Sequence, residues 1–169
     1  DHIIFNSFSQ WNRYRSLAMQ YADRVEFGLR VNPEHSEADV AIYDPCAPGS
    51  RLGILRRDFA GQDLTPFSGL HFHTLCEKNS DSLERTLAAF EKRFGDLIPR
   101  MKWINFGGGH HITRPDYDVE LLCRLISDFR KRYPVEVYLE PGEAVALNTG
   151  YLVGTVLDIV HNESDIAIM

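Results

Sequence analysis

Four strings carry residue types suited to chemistry: Gly28-Leu29-Arg30; His71-Phe72-His73, with Cys76 just beyond; Gly107-Gly108-Gly109 before His110-His111; and Glu140-Pro141-Gly142. Three consecutive glycines strip every Cβ from one turn, so backbone N–H groups can converge on an anion such as a phosphate. Glu140 ends an apolar run directly before Pro-Gly, which puts a carboxylate where a strand stops. There it can cap a helix, pair with a cation, or keep a pyridine-type nitrogen protonated. At ~4 Å and an effective dielectric near ~20, that last pair is worth roughly 4 kcal/mol before desolvation, a pKa rise of ~3 units. A ring protonated in this way is an electron sink. Arg30 suits an acid or a phosphate, or a carboxylate on a neighbouring strand. His71 and His73 flank Phe72 in an extended run, and the two imidazoles are expected to leave it on opposite sides, His73 toward the site and His71 elsewhere.

The histidines raise a rival chemistry, a metal held by His71, His73, Cys76, His110 and His111. Zinc needs three or four convergent ligands, themselves oriented by hydrogen bonds. The adjacent His110 and His111 diverge unless their loop bends sharply, so no metal is expected. Strings of the GxSxG, GxxxxGK[ST] and HExxH types are absent.

The elements that must position these residues alternate. Short β-rich runs are expected at 3–6, 25–31, 69–72, 101–106 and 135–139. Helices are expected at 10–21, with Trp11, Tyr14, Leu17, Ala18 and Tyr21 on one face; at 82–94, with Leu83, Leu87, Phe90 and Phe94; and at 117–133, with Leu121, Leu122, Leu125, Ile126 and Phe129. Segment 34–67 is polar and rich in Pro and Gly, long for a simple connection, and therefore a candidate functional loop with some helix of its own. Trp11 and Trp103 read as core. Helical crossovers imply parallel strands, and the polar residues recur at strand ends, where α/β proteins place their sites. Either a barrel or an open doubly wound sheet explains this rhythm. Beyond Glu140-Pro141-Gly142 it changes: 151–160 and 166–169 are β-rich with a turn at Asn162-Glu163 and no helix between them, the pattern of antiparallel strands.

The chain has 169 residues, 44% of them hydrophobic, and a formal net charge of -6. That is enough for one cored domain but short of the ~250 residues of a complete (β/α)8 barrel. The negative charge supplies no basic face for nucleic acid and suits a cationic substrate. Three widely spaced cysteines, Cys46, Cys76 and Cys123, form no disulfide framework, so a cytoplasmic protein is expected. No apolar run approaches the ~20 residues of a membrane span, so no membrane partner is expected.

Gly28-Leu29-Arg30-Val31-Asn32-Pro33, Gly69-Leu70-His71-Phe72-His73-Thr74-Leu75-Cys76-Glu77, Ile104-Asn105-Phe106-Gly107-Gly108-Gly109-His110-His111 and Tyr138-Leu139-Glu140-Pro141-Gly142-Glu143-Ala144 resemble, in this order and spacing, the signature blocks of the fold-type III pyridoxal-phosphate-dependent decarboxylases. The resemblance implies an α/β fold: part of a TIM-type (β/α)8 barrel over 1–146, binding pyridoxal 5'-phosphate, and the start of a C-terminal antiparallel β domain over 147–169. It implies that His73 stacks on the cofactor ring and that Glu140 pairs with the ring nitrogen. Gly107, Gly108, Gly109 and Gly142 would cradle the phosphate, with Cys76 beside it where relatives often have Ser, and Arg30 would lie behind the cofactor. Homodimers that share active sites are implied too. Within the family, the strings are most similar to the branch acting on carboxynorspermidine and carboxyspermidine in polyamine biosynthesis. Glu143 points there, because relatives acting on ornithine, arginine or diaminopimelate usually carry Arg at that place to hold the phosphate; those activities, or a non-catalytic barrel homologue, are the alternatives. Lys78, Lys92, Lys102 and Lys131 are the only lysines, and none matches the family's Schiff-base lysine. The chain is therefore expected to be part of a longer enzyme.

Overall fold

The computed structural model describes residues 1–169 apart from the side chain of Ala41. Five strands, β1 (His2–Phe5), β2 (Glu26–Arg30), β3 (Phe67–His71), β4 (Trp103–Asn105) and β5 (Glu136–Tyr138), pair in parallel in the order of the chain. Parallel strands that always step the same way, through right-handed crossovers, leave their connections on one face. A doubly wound sheet must reverse direction and cover both faces. The order therefore identifies part of a barrel wall.

Helices α1 (Phe8–Ala18), α2 (Ser80–Phe94) and α3 (Val119–Arg132) supply three of the connections. Each begins where a polar side chain accepts from a free backbone N–H of the first turn: Ser7 from Gln10, Asn79 from Ser80, and Asp118 from Leu121. Strand residues alternate between the two faces. Phe27 and Leu29, Leu70 and Phe72, and Ile104 and Phe106 point outward, where Leu83, Leu87, Phe90, Phe94, Leu122 and Phe129 cover them. Phe72 bridges Phe90 and Phe106, with ring centroids 4.8 and 5.3 Å away, and Phe106 meets Phe129 edge-on at 5.2 Å. Each fully buried large side chain in this layer contributes about 1.5–3 kcal/mol.

The α1 face differs from expectation. Trp11 is buried, but Tyr14, Leu17 and Tyr21 are exposed, and 19–21 form a 3-10 turn. Helical spacing reports which side chains share a face, and here only the Trp11 edge of that face meets the sheet. The segment between β2 and β3 contains two 3-10 turns (Ala41–Tyr43 and Arg56–Phe59) and no α-helix. Glu34–Arg93, Glu37–Arg85 and Asp39–Lys78 ion pairs and a Val31–Ile54 bridge pin it down.

After a short helix, α4 (Gly142–Ala146), the chain forms an antiparallel hairpin of β6 (Asp158–Asn162) and β7 (Ser164–Ile168), all of it exposed. Among the described residues, no helix is long and apolar enough to cross a membrane.

Candidate active site

The inward side of the sheet has two layers. In the lower one, at the N-terminal ends of the strands, the Trp103 indole lies across Gly28 and Gly69. A Cβ on Gly69 would come within 2.1 Å of it, and one on Gly28 within 2.3 Å. His2 stacks on the indole at 4.3 Å, and Trp103 Nε1 donates to Glu26 at 2.9 Å. Trp103 is buried as expected, but inside the barrel wall instead of in the sheet–helix layer.

The upper layer collects the sequence's candidates. Arg30, His71 and Asn105 are neighbours in register at the ends of β2, β3 and β4. His71 and His73 lie on the same side of the chain: the ligand atoms of His71, His73 and Glu140 are all within 4.8 Å of one another. This corrects the expectation of opposite sides, since residues two apart on a strand share a face and only Phe72 between them points outward. The observed trio also differs from the five-residue metal set.

Glu140 is held from two directions. Asn105 Nδ2 donates to its Oε1 at 2.8 Å, and His71 Nε2 lies 3.5 Å from Oε2. Burial drives the His71 pKa well below its ordinary value, against the attraction of Glu140. A neutral ring therefore offers Nε2–H to the carboxylate, while its Nδ1 is buried without a partner. The other end of the Asn105 amide accepts the Gly107 N–H at 2.8 Å, so one side chain ties the glycine turn to the carboxylate. Asn105 was not among the sequence candidates; its signal was a polar residue in an apolar strand, two before Gly107 and so on the same face.

The glycine turn is packed against the end of β3. Gly107 and Gly109 have φ of +72° and +80°, and added Cβ atoms would strike Phe72 O at 2.3 Å and Leu75 O at 2.1 Å. The Gly108 N–H donates to His73 Nδ1 at 3.1 Å. That bond fixes the neutral tautomer with the proton on Nε2. Burial, then Arg30, lowers the His73 pKa. Arg30 is itself partly desolvated, and that burial lowers its pKa.

A cavity of about 830 Å³ opens beside these groups, lined by Arg30, His73, Cys76 and Gly109 and walled by Tyr43, Asp44 and Arg51 of the long segment. Its size lies within the range of cofactor sites. It brings a guanidinium, a flat imidazole and bare backbone together, a donor set suited to a planar phosphate ester. A Cβ on Gly142 would meet nothing within 4 Å, and its N–H donates to Glu140 O at 2.9 Å. Cys46, also near Arg30, is pushed up to about 12 by burial and is a thiol. None of the four lysines lines the cavity; Lys78, Lys102 and Lys131 pair with Asp39, Glu26 and Asp128.

Comparison with known proteins agrees with this architecture. The chain is 50% identical over 168 residues to a carboxynorspermidine/carboxyspermidine decarboxylase of Campylobacter jejuni, covering 99% of this chain and 43% of that protein. It is 42% identical over 161 residues to a carboxyaminopropylagmatine decarboxylase of Synechocystis, covering 95% and 41%. In structure it matches carboxynorspermidine decarboxylase of C. jejuni complexed with norspermidine, with a TM-score of 0.77, 48% identity and coverage of 98% and 41%. It also matches diaminopimelate decarboxylase of Helicobacter pylori, with a TM-score of 0.70, 14% identity and coverage of 97% and 45%, a likeness of fold alone. No family model matches. The chain is thus homologous over nearly its whole length to the carboxynorspermidine/carboxyspermidine and carboxyaminopropylagmatine decarboxylases, and it spans less than half of theirs.

Proposed function

We propose that residues 1–169 form the cofactor-binding part of a pyridoxal-phosphate-dependent decarboxylase that converts carboxynorspermidine or carboxyspermidine to norspermidine or spermidine. One observation carries the proposal: His73, which lines the cavity with Arg30 and Gly109, accepts from the Gly108 N–H and lies within 4.8 Å of Glu140, so three successive strand ends converge on the cavity's edge. In this reading 1–146 is the barrel portion and 147–169 the start of a C-terminal β domain; the whole enzyme is a cytoplasmic homodimer.

Pyridoxal 5'-phosphate, when bound, supplies a ring that accepts the electron pair released as CO2 leaves. Glu140 would hold the proton on the ring nitrogen. Asn105 and the neutral His71 aim that carboxylate without adding a competing charge. His73, whose orientation Gly108 sets, would cover one face of the ring. Gly107, Gly108, Gly109 and Gly142 would admit the phosphate by close backbone approach, with Gly109 lining the cavity itself, Cys76 beside them and Arg30 behind the cofactor; the N–H groups of Gly107, Gly108 and Gly142 already donate to Asn105, His73 and Glu140. The negative net charge favours encounter with a polycation.

The test is CO2 release by the full-length protein from carboxynorspermidine, carboxyspermidine, carboxyaminopropylagmatine and diaminopimelate. The proposal expects the highest kcat/KM on a carboxylated polyamine. Preference for diaminopimelate would move the enzyme to another branch, and no turnover of any of them would leave a non-catalytic homologue. The His71, His73 and Glu140 trio could instead hold a divalent metal. Asn105 and Gly108 already occupy Glu140 Oε1 and His73 Nδ1, and stoichiometric metal in the purified protein would favour that second reading.

A further inference from the structure

Glu143 stands one residue past Gly142, beside the glycine turn. A free carboxylate there would repel a phosphate dianion. The structure shows both of its oxygens engaged. His111 Nε2 contacts Oε2 directly, and Thr113 Oγ1 donates to Oε1 at 2.9 Å. Both partners follow immediately on the glycines, so the segment that builds the turn also holds the acid. His111 is well placed to do so: its side chain is 18% exposed, and its backbone N–H donates to Lys78 O at 3.1 Å, next to the Lys78–His110 bridge. Arg114, the next cation along, is committed to Asp116 through bonds of 2.9 and 2.6 Å.

We infer that His111 is a positioning residue that, with Thr113, turns the Glu143 carboxylate away from the phosphate cradle and keeps both its oxygens occupied. An acidic residue is thereby tolerated beside an anion site. The inference rests on the phosphate reading above, and it predicts a coupling that simple structural support by His111 does not. Removing His111 frees a carboxylate that repels the phosphate; removing the carboxylate as well takes the repulsion away.

The experiment is titration of pyridoxal 5'-phosphate into the apo form of the full-length protein, with Kd read from cofactor absorbance. His111→Ala should weaken binding about tenfold or more, and His111→Ala with Glu143→Gln should return it to within about threefold of wild type. His111→Gln, which keeps a donor for Glu143, should bind like wild type. If His111→Ala binds normally, if Glu143→Gln does not rescue it, or if His111→Gln is as weak as Ala, the inference is wrong. Should His111→Ala fail to fold, the double variant decides: wild-type binding supports the coupling, and a second failure overturns it. A wild-type protein that does not bind the cofactor would instead overturn the proposed function.

Discussion

The lower and upper layers of the barrel wall are built from the same five strands but treat polar atoms in opposite ways. Below, Trp103 fills the space over Gly28 and Gly69, and its one polar atom is satisfied by Glu26. Above, His71 Nδ1 and, just past the glycine turn, both ring nitrogens of His110 and Nδ1 of His111 are buried without partners, and Glu140 stays about half exposed. Leaving buried polar atoms unpaired costs free energy. The lower layer stabilises the wall, while the upper layer bears the cost of unpaired polar atoms, a cost that the proposed function would assign to a site.

That contrast can be broken at either end. Trp103→Ala in the full-length protein should cost about 3–5 kcal/mol in thermal or urea unfolding, through lost burial and a cavity under the site. Glu140→Gln should do the reverse: unfolding stays near wild type, while kcat falls about 10²–10³-fold, the loss typical of one preorganised electrostatic group. If Glu140→Gln instead unfolds the protein and leaves residual kcat untouched, the division of labour is wrong. Gly69→Ala should cost about 1–3 kcal/mol, since its Cβ must displace the indole.

The smallest effect is in pH dependence. Burial lowers the pKa of His71, His73 and His110, so the unfolded chain takes up protons more readily than the native one. Stability is therefore full above the ordinary histidine value of about 6.5 and is lost as pH falls below it, by up to ~1.4 kcal/mol per pH unit for each histidine. His71→Asn should flatten the slope of stability between about pH 6.5 and 5. A slope unchanged in that variant would show that His71 is not held neutral.

Most of the wall was legible because its signals are local. Alternation marked the strands, and the 3.6-residue spacing of Leu83, Leu87, Phe90 and Phe94 marked α2. Glycines at a strand end and Glu140 before Pro141-Gly142 marked the candidate site. What stayed hidden depends on partners distant in sequence. Asn105 becomes important only because Glu140 arrives 35 residues later to accept its amide. The place of His71 beside His73 follows from strand period alone and was legible, yet the expectation misassigned it. The exposed Tyr14 and Leu17 show the converse, a periodic face for which residues 1–169 offer only partial cover.

The central claim is that the imidazole, the glycine turn and the carboxylate surround one phosphorylated pyridine cofactor. Borohydride reduction of the full-length protein, followed by peptide mass spectrometry, tests it most directly. The account predicts a pyridoxyl-phosphate adduct on a single lysine, at an occupancy that falls when Gly108 is replaced by Val. A folded protein that yields no adduct, or an adduct indifferent to Gly108→Val, would contradict it.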